Sequence, residues 1–217
     1  MIIPYRVDVL PSRRPYANYS IIALTIFVFS LMLSSSLQQL KPYILDGWSV
    51  SGLTGYMWLH GGLIHIVFNL IFLWVFGNAV CAKVGNALYV PAFILYGIIA
   101  GVAHIIFEGG PAIGASGAIF GVIGTYFVLY PFNSVKCLLW VFIYVRRISV
   151  AGLWIILLWV VLNVLGAVTG FTAVTGVAYF AHIGGFVSGF AFGIILLKSK
   201  IVVRDDINEA LFRHLNT

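Results

Sequence analysis

Apolar residues are gathered along the chain into six blocks, roughly 19–37, 59–80, 88–107, 117–130, 148–168 and 178–197, separated by short stretches that hold nearly all the charge. Most blocks reach the roughly 20 residues that a helix needs to cross about 30 Å of hydrocarbon. The pattern therefore predicts an all-α membrane protein: residues 1–18 as an N-terminal segment, six transmembrane helices over residues 19–198, and a tail over 199–217. The first block, with Arg13 and Arg14 before it and Ser34, Ser35 and Ser36 after it, also has the outline of a signal peptide. The charge pattern described below favours a retained helix.

The connections differ in character. Residues 38–56 carry Pro42, Trp48 and the trio Tyr43, Ile44 and Leu45, which reads as an interfacial loop segment. Residues 133–145 are apolar apart from Lys136 and are expected along the opposite interface, with Arg146 and Arg147 opening the fifth helix. The tail from Asp205 alternates charge with Ile207, Ala210, Leu211 and Leu215, the pattern of a short amphipathic surface helix.

Composition agrees with this division. Hydrophobic residues make up 62% of the chain and charged ones 8%, far from the roughly 45 to 50% and 25% of soluble domains. The net charge of +6 is spread over tails and short loops with no basic face, which argues against a nucleic-acid partner. It acts as a topology signal instead. With six spans and the N-terminus inside, all twelve Lys and Arg residues except Lys41 fall on the inner side, so both termini are expected in the cytosol. Cys81 and Cys137 fall on that side too, where a disulfide is not expected.

Strongly polar side chains within hydrocarbon are costly, and each is a candidate for function. His65 and Asn69 lie four apart on one face of the second helix. At about 1.5 Å per residue, Asn69 lies about 21 Å above Lys83, His65 about 27 Å above Lys83, Ser116 about 22 Å above Pro131 and His182 about 24 Å above Lys198. Four polar residues on separate segments thus reach a similar height. The fourth block spans only about 21 Å, so its helix should begin below the outer face, and the segment 109–115 must dip inward to meet it. Irregular backbone at that depth requires surrounding protein or a water-filled cavity. A submerged wet pocket with Ser116 at its floor follows.

Small residues offer a way to close that site. Gly117 and Gly121 in the fourth helix, and Gly185 and Gly189 in the sixth, fall at helical spacing and let two backbones approach. His182 lies on the stripe of Gly185, and Phe120, one turn from Ser116, can pack on its ring. His104 and Asn163 also fall within spans, the former near the outer end; both are read as bundle packing.

Residue type narrows the chemistry. All six acidic residues lie outside the spans, so an aspartyl mechanism lacks its carboxylates, and the H-E-x-x-H pattern of metal-dependent cleavage is absent. A serine mechanism needs a base but not a third acidic member. His182 would take the proton from Ser116, and the Ser116 N–H, Asn69 and His65 would stabilise the oxyanion. Gly114 lets the backbone approach the substrate closely. No metal or cofactor is required.

The run from Gly114 to Gly121, the spacing of His65 and Asn69 after Leu59-His60-Gly61-Gly62, and Ala181-His182-Ile183-Gly184-Gly185 with Gly189 together resemble the rhomboid intramembrane serine proteases. Pro4-Tyr5-Arg6 and Arg13-Arg14-Pro15 resemble prokaryotic members. The resemblance implies a six-helix rhomboid-like bundle, a Ser116 and His182 dyad, transmembrane protein substrates taken from the lipid bilayer, and a place in a prokaryotic cell membrane. The chain departs from the pattern at Trp48, which Ser49 rather than arginine follows, and at Cys81, where an acidic residue is usual. A catalytically inactive scaffold or client-binding protein of the same fold is the competing class. A transporter, the third option, is disfavoured by the lack of repeats and of carboxylates within the spans.

Overall fold

The computed structural model describes residues 2–9 and 13–202. Among them, three helices are long and apolar enough to cross a membrane: Leu63–Val84, Asn86–Phe107 and Tyr179–Lys198. Three shorter apolar helices, Tyr16–Met32, Ser116–Leu129 and Gly152–Val168, complete the bundle. In chain order the helices are α1 (Tyr16–Met32), α2 (Leu37–Leu40), α3 (Val50–Gly55), α4 (Leu63–Phe72), α5 (Asn78–Val84), α6 (Asn86–Phe107), α7 (Ser116–Leu129), α8 (Gly152–Val168), α9 (Thr172–Thr175) and α10 (Tyr179–Lys198). The strands are β1 (Ile2–Val7), β2 (Ser134–Val141) and β3 (Tyr144–Ala151).

The first helix stops well before the apolar block does. Ser36 starts α2 instead, its hydroxyl accepting from the Gln39 N–H while its own N–H donates to the Gln39 side chain, a reciprocal capping box. In the second rod, a π-helical stretch Leu73–Gly77 joins α4 to α5. A widened turn loosens the regular carbonyl pairing, and here buried Asn18 of α1 donates to the Leu73 carbonyl at 2.9 Å. Asn18 also donates to Asn78 at 2.8 Å and accepts from the Tyr89 hydroxyl at 2.8 Å. Every polar atom of its amide group is thereby engaged, which is what allows an asparagine to be buried there.

The segment between α7 and α8 differs from expectation. Residues 134–151 form a β-hairpin, and β1 joins it to make an antiparallel sheet in the order β1-β2-β3. Arg146 and Arg147 accordingly lie in β3, pairing with Leu139 and Leu138, and the fifth long helix begins at Gly152. The residues favour this outcome: Val, Ile, Trp and Tyr crowd the segment, and branched and aromatic side chains suit a pleated surface better than a helix. Pro4 sits on the outer strand next to a register shift, where its missing N–H costs no ladder bond. Asn133 donates to the Asp8 carbonyl at 2.7 Å, and Lys136 lies 3.5 Å from the Asp8 carboxylate, fastening the far end of β1. Cys81 and Cys137 are free and buried, and burial pushes the Cys137 thiol up to about 11. The tail expected as an amphipathic helix, with Ile207, Ala210, Leu211 and Leu215, lies outside the described residues.

Helix α7 occupies the centre, with almost all of its residues buried. Its neighbours are α6 on one side and α10 on the other, and glycine decides how close each comes. A methyl group at Gly185 would run into the Gly117 carbonyl, and one at Gly189 into the Gly121 carbonyl, so α10 lies directly on the α7 backbone. Gly117 and Gly121 themselves face α6, where Ala100 and the Tyr96 ring fill the space a side chain would take. Thr125 adds direction to the contact, donating to the Gly189 carbonyl at 3.0 Å while Tyr96 donates to its hydroxyl at 2.8 Å. Without such close approach, apolar helices in lipid have little to hold them together.

Candidate active site

The end of the bundle away from the sheet carries the polar residues. Gly114 leads into α7 with φ +124°, a backbone conformation that a side chain would strain. The preceding loop is held by protein: Leu45 and Ala112 exchange both backbone hydrogen bonds, at 3.1 and 2.8 Å, and the Gly114 N–H donates to the Tyr56 carbonyl at 2.9 Å. Gly114 and Ala115 are buried. Irregular backbone at this depth is thus paired inside the protein, as a span-level loop requires.

Ser116 is the first residue of α7, and Ala115 stands at the cap position with no side-chain cap bond. The Ser116 hydroxyl is therefore free of capping duty. It lies 2.8 Å from His182 Nε2. His182 rises from the first turn of α10, and Phe120 stacks on its ring at 4.3 Å between centroids with the planes 10° apart. Because glycines bring α7 and α10 into backbone contact just below, the short distance between hydroxyl and imidazole follows from the packing.

The two polar residues of α4 approach from the other side. Gly61 donates its N–H to His65 Nδ1 at 3.3 Å, which leaves the proton of the neutral ring on Nε2. That Nε2 faces Gly114: a methyl on Gly114 would sit 2.7 Å from it and 3.8 Å from Asn69 Nδ2. Asn69 is buried, and its Nδ2 has no hydrogen-bond partner among the described residues. A buried amide donor without a partner costs about 1–3 kcal/mol. Two N–H donors therefore flank the backbone just before Ser116, one of them unpaired. The first-turn amides of α7, which lack intrahelical acceptors by geometry, point to the same region.

A cavity of about 240 Å³ opens beside these groups, lined by Ser116, His182, Asn69 and Asn163 together with Phe68, Phe72, Trp159 and Leu162. It lies between α4 and α8, whose aromatic rings close its lower end, with Phe72 and Trp159 5.1 Å apart. Its apolar walls and few convergent polar atoms are the common character of ligand sites.

Two residues read from sequence as bundle packing have specific partners. Asn163 of α8 places its side-chain oxygen 2.7 Å from His182 Nδ1 and donates its amide to the Trp159 carbonyl at 2.8 Å. The sequence held one signal for Asn163: it is a strongly polar side chain inside an apolar span, a place where each such residue is a candidate for function. His104 contacts the Glu108 carboxylate at 3.0 Å and the Gly110 carbonyl at 3.0 Å. Glu108 in turn accepts from the Thr172 hydroxyl and from the Phe180 N–H, tying the loop before α7 to α9 and to the start of α10. Their spacing of four residues was the sequence signal for that pair.

Comparison with known proteins gives a consistent set of likenesses. Residues 47–199 match the Rhomboid domain family. Among curated proteins, the chain is 29% identical over 217 residues to the rhomboid protease GluP of Bacillus subtilis, covering 90% of this chain and 40% of that protein. It is 27% identical over 161 residues to the Rhomboid-type serine protease 2 of Emericella nidulans, covering 71% and 28% respectively. RHOMBOID-like protein 4 of Arabidopsis thaliana is 29% identical over 153 residues, covering 70% and 34%. The chain spans less than half the length of each of these relatives.

Proposed function

Because the chain belongs to the rhomboid family, an integral membrane family, we propose that it is an intramembrane serine endopeptidase, hydrolysing a peptide bond in or just outside the transmembrane segment of another membrane protein. The observation that carries this reading is the 2.8 Å contact between Ser116 Oγ and His182 Nε2 on the floor of a cavity. In the first step Ser116 Oγ attacks the scissile carbonyl carbon and its proton passes to His182 Nε2. The tetrahedral intermediate collapses with breakage of the C–N bond, and His182 returns the proton to the departing amine. Water then attacks the acyl-serine ester, giving its proton to His182, and the carboxyl product leaves with Ser116 restored.

The charge that builds on the carbonyl oxygen needs donors arranged beforehand. Asn69 Nδ2, His65 Nε2 and the Ser116 N–H serve here, and the unpaired state of Asn69 supports the assignment: its missing partner arrives with the transition state. Gly114 keeps the space between these donors clear. A substrate helix must unwind locally to present its carbonyl, so Gly or Pro near the scissile bond lowers the cost of reaching the cavity.

The test is reconstitution of the purified protein into liposomes with a single-span substrate, alongside labelling by a serine-directed fluorophosphonate. Cleavage within or beside the span, with label on Ser116, is expected. Intact substrate and an unlabelled protein would overturn the reading. Asn69→Ala is expected to lower kcat by about a hundredfold with KM within about twofold, because its contact strengthens only in the transition state. An effect confined to KM would remove Asn69 from the oxyanion site.

A further inference from the structure

The hydrogen bonds around Asn163 fix where the protons lie. A backbone carbonyl only accepts, so the Asn163 atom 2.8 Å from the Trp159 oxygen is the amide nitrogen. The other atom of the amide, its oxygen, therefore faces His182 Nδ1 at 2.7 Å. Oxygen there also only accepts, so Nδ1 carries the proton. The remaining ring nitrogen, Nε2, is left with a bare lone pair directed at the Ser116 hydroxyl 2.8 Å away. One carbonyl on α8 thus dictates, through two steps, that the nitrogen facing the serine is the one able to take its proton.

Phe120 cannot supply this by itself. The stacked ring, 4.3 Å away and nearly parallel, fixes the plane of the imidazole. A half-turn about the Cβ–Cγ bond keeps that plane and that stack while putting a carbon, not Nε2, opposite the serine. Nor does stacking choose between the two neutral tautomers, of which one points an N–H at Ser116 and is useless as a base. The oxygen of Asn163 distinguishes both pairs of alternatives.

We infer that Asn163 is a positioning residue for the proposed reaction, holding His182 in the single ring orientation and tautomer that lets Nε2 act as base. The inference rests on the assignment of Ser116 and His182 as nucleophile and base. It makes the relay a three-residue one with a neutral third member, which orients the ring without adding a charge to the site. The third member also comes from a different helix. Ser116 and His182 sit on α7 and α10, locked by backbone contact, whereas Asn163 sits on α8, whose second half buries only Asn163 and Gly166. Asn163 shares the wall of the cavity with Trp159 and Leu162. The alignment of the base therefore depends on how α8 is seated beside the cavity.

Asn163→Leu, which keeps the branched shape and removes the acceptor, is expected to lower kcat by about tenfold to a hundredfold with KM within about twofold, in line with the loss of an orienting partner. The rate of fluorophosphonate labelling should fall by the same factor. Asn163→Asp keeps an acceptor at Nδ1 and should recover most of the labelling rate. Nitrogen NMR of ¹⁵N-histidine protein, with His182 assigned from a His182→Ala sample, reads the proton position directly. Wild type should show a protonated Nδ1, and Asn163→Leu a shift toward the Nε2–H form. Unchanged labelling together with an unchanged tautomer in Asn163→Leu would overturn the inference, as would a loss seen only in KM. The nitrogen signal needs no substrate: a wild type that cleaves nothing sinks the protease reading, and the tautomer shift still decides the role of Asn163.

Discussion

Ser116→Ala is expected to reduce cleavage of a reconstituted transmembrane substrate by about ten-thousandfold or more, the scale on which serine hydrolases lose activity when the nucleophile is removed. The substitution deletes one oxygen and little else. The hydroxyl caps no helix, since Ala115 holds the cap position, and its contact with His182 Nε2 is the partner it gives up. Thermal stability should therefore stay close to wild type, and the loss can be assigned to chemistry. His182→Ala should abolish activity to the same extent but with a second effect. It leaves the Asn163 oxygen without its donor and the Phe120 ring without its stack, so some stability is lost as well, about 1–3 kcal/mol for an orphaned buried polar group. The double variant should be no less active than either single one, because the two residues act as a unit. Cleavage that persists in both single variants would end the proposed mechanism.

Gly189→Ala is expected to be severely destabilising, by about 3 kcal/mol or more, for a group as small as one methyl. Its new carbon would meet the Gly121 carbonyl of α7, a backbone atom that cannot rotate aside. The helices would have to separate, breaking the Thr125 bond to the Gly189 carbonyl and widening the gap between Ser116 and His182 above it. Gly193→Ala, one turn along the same helix, is the natural comparison: its added methyl would sit 2.8 Å from Cβ of the buried Val128, a milder overlap than the one with a backbone carbonyl at Gly189. Unfolding in detergent followed by scanning fluorimetry should rank the three proteins as wild type, Gly193→Ala, Gly189→Ala. A Gly189→Ala protein as stable as wild type would mean that α10 does not rest on the α7 backbone.

Much of this was legible because lipid simplifies the code. Long apolar blocks mark spans whatever their neighbours, and a constant rise per residue turns sequence distance into depth. Ser116, His182, His65 and Asn69 could be set at one height for that reason. Rotation about a helix axis is harder to read. Helix α8 is apolar on every side, with no polar face to say which way Asn163 points, so its partner emerged only with the packed structure. The hairpin escaped for another reason. Its turn at Phe142 and Ile143 lacks the Asn-Gly type of signal that usually announces one, and Phe142 reaches a positive φ of 51° without glycine. The π-helical turn at Leu73–Gly77 has no sequence mark either; within it the Leu73 carbonyl accepts from buried Asn18 at 2.9 Å.

The small sheet at the other end of the bundle joins segments that lie far apart in the chain. Strand β1 precedes α1 in the chain, yet the strand it pairs with, β2, follows α1, the α4–α5 rod, α6 and α7. The two can meet only if the intervening helices have crossed the bilayer an even number of times. A chain with one helix left at the surface would strand its first residues on the wrong face, with an open edge and no partner. The closed sheet is thus a record of complete threading between β1 and β2, and its hairpin leads directly into the last two long helices.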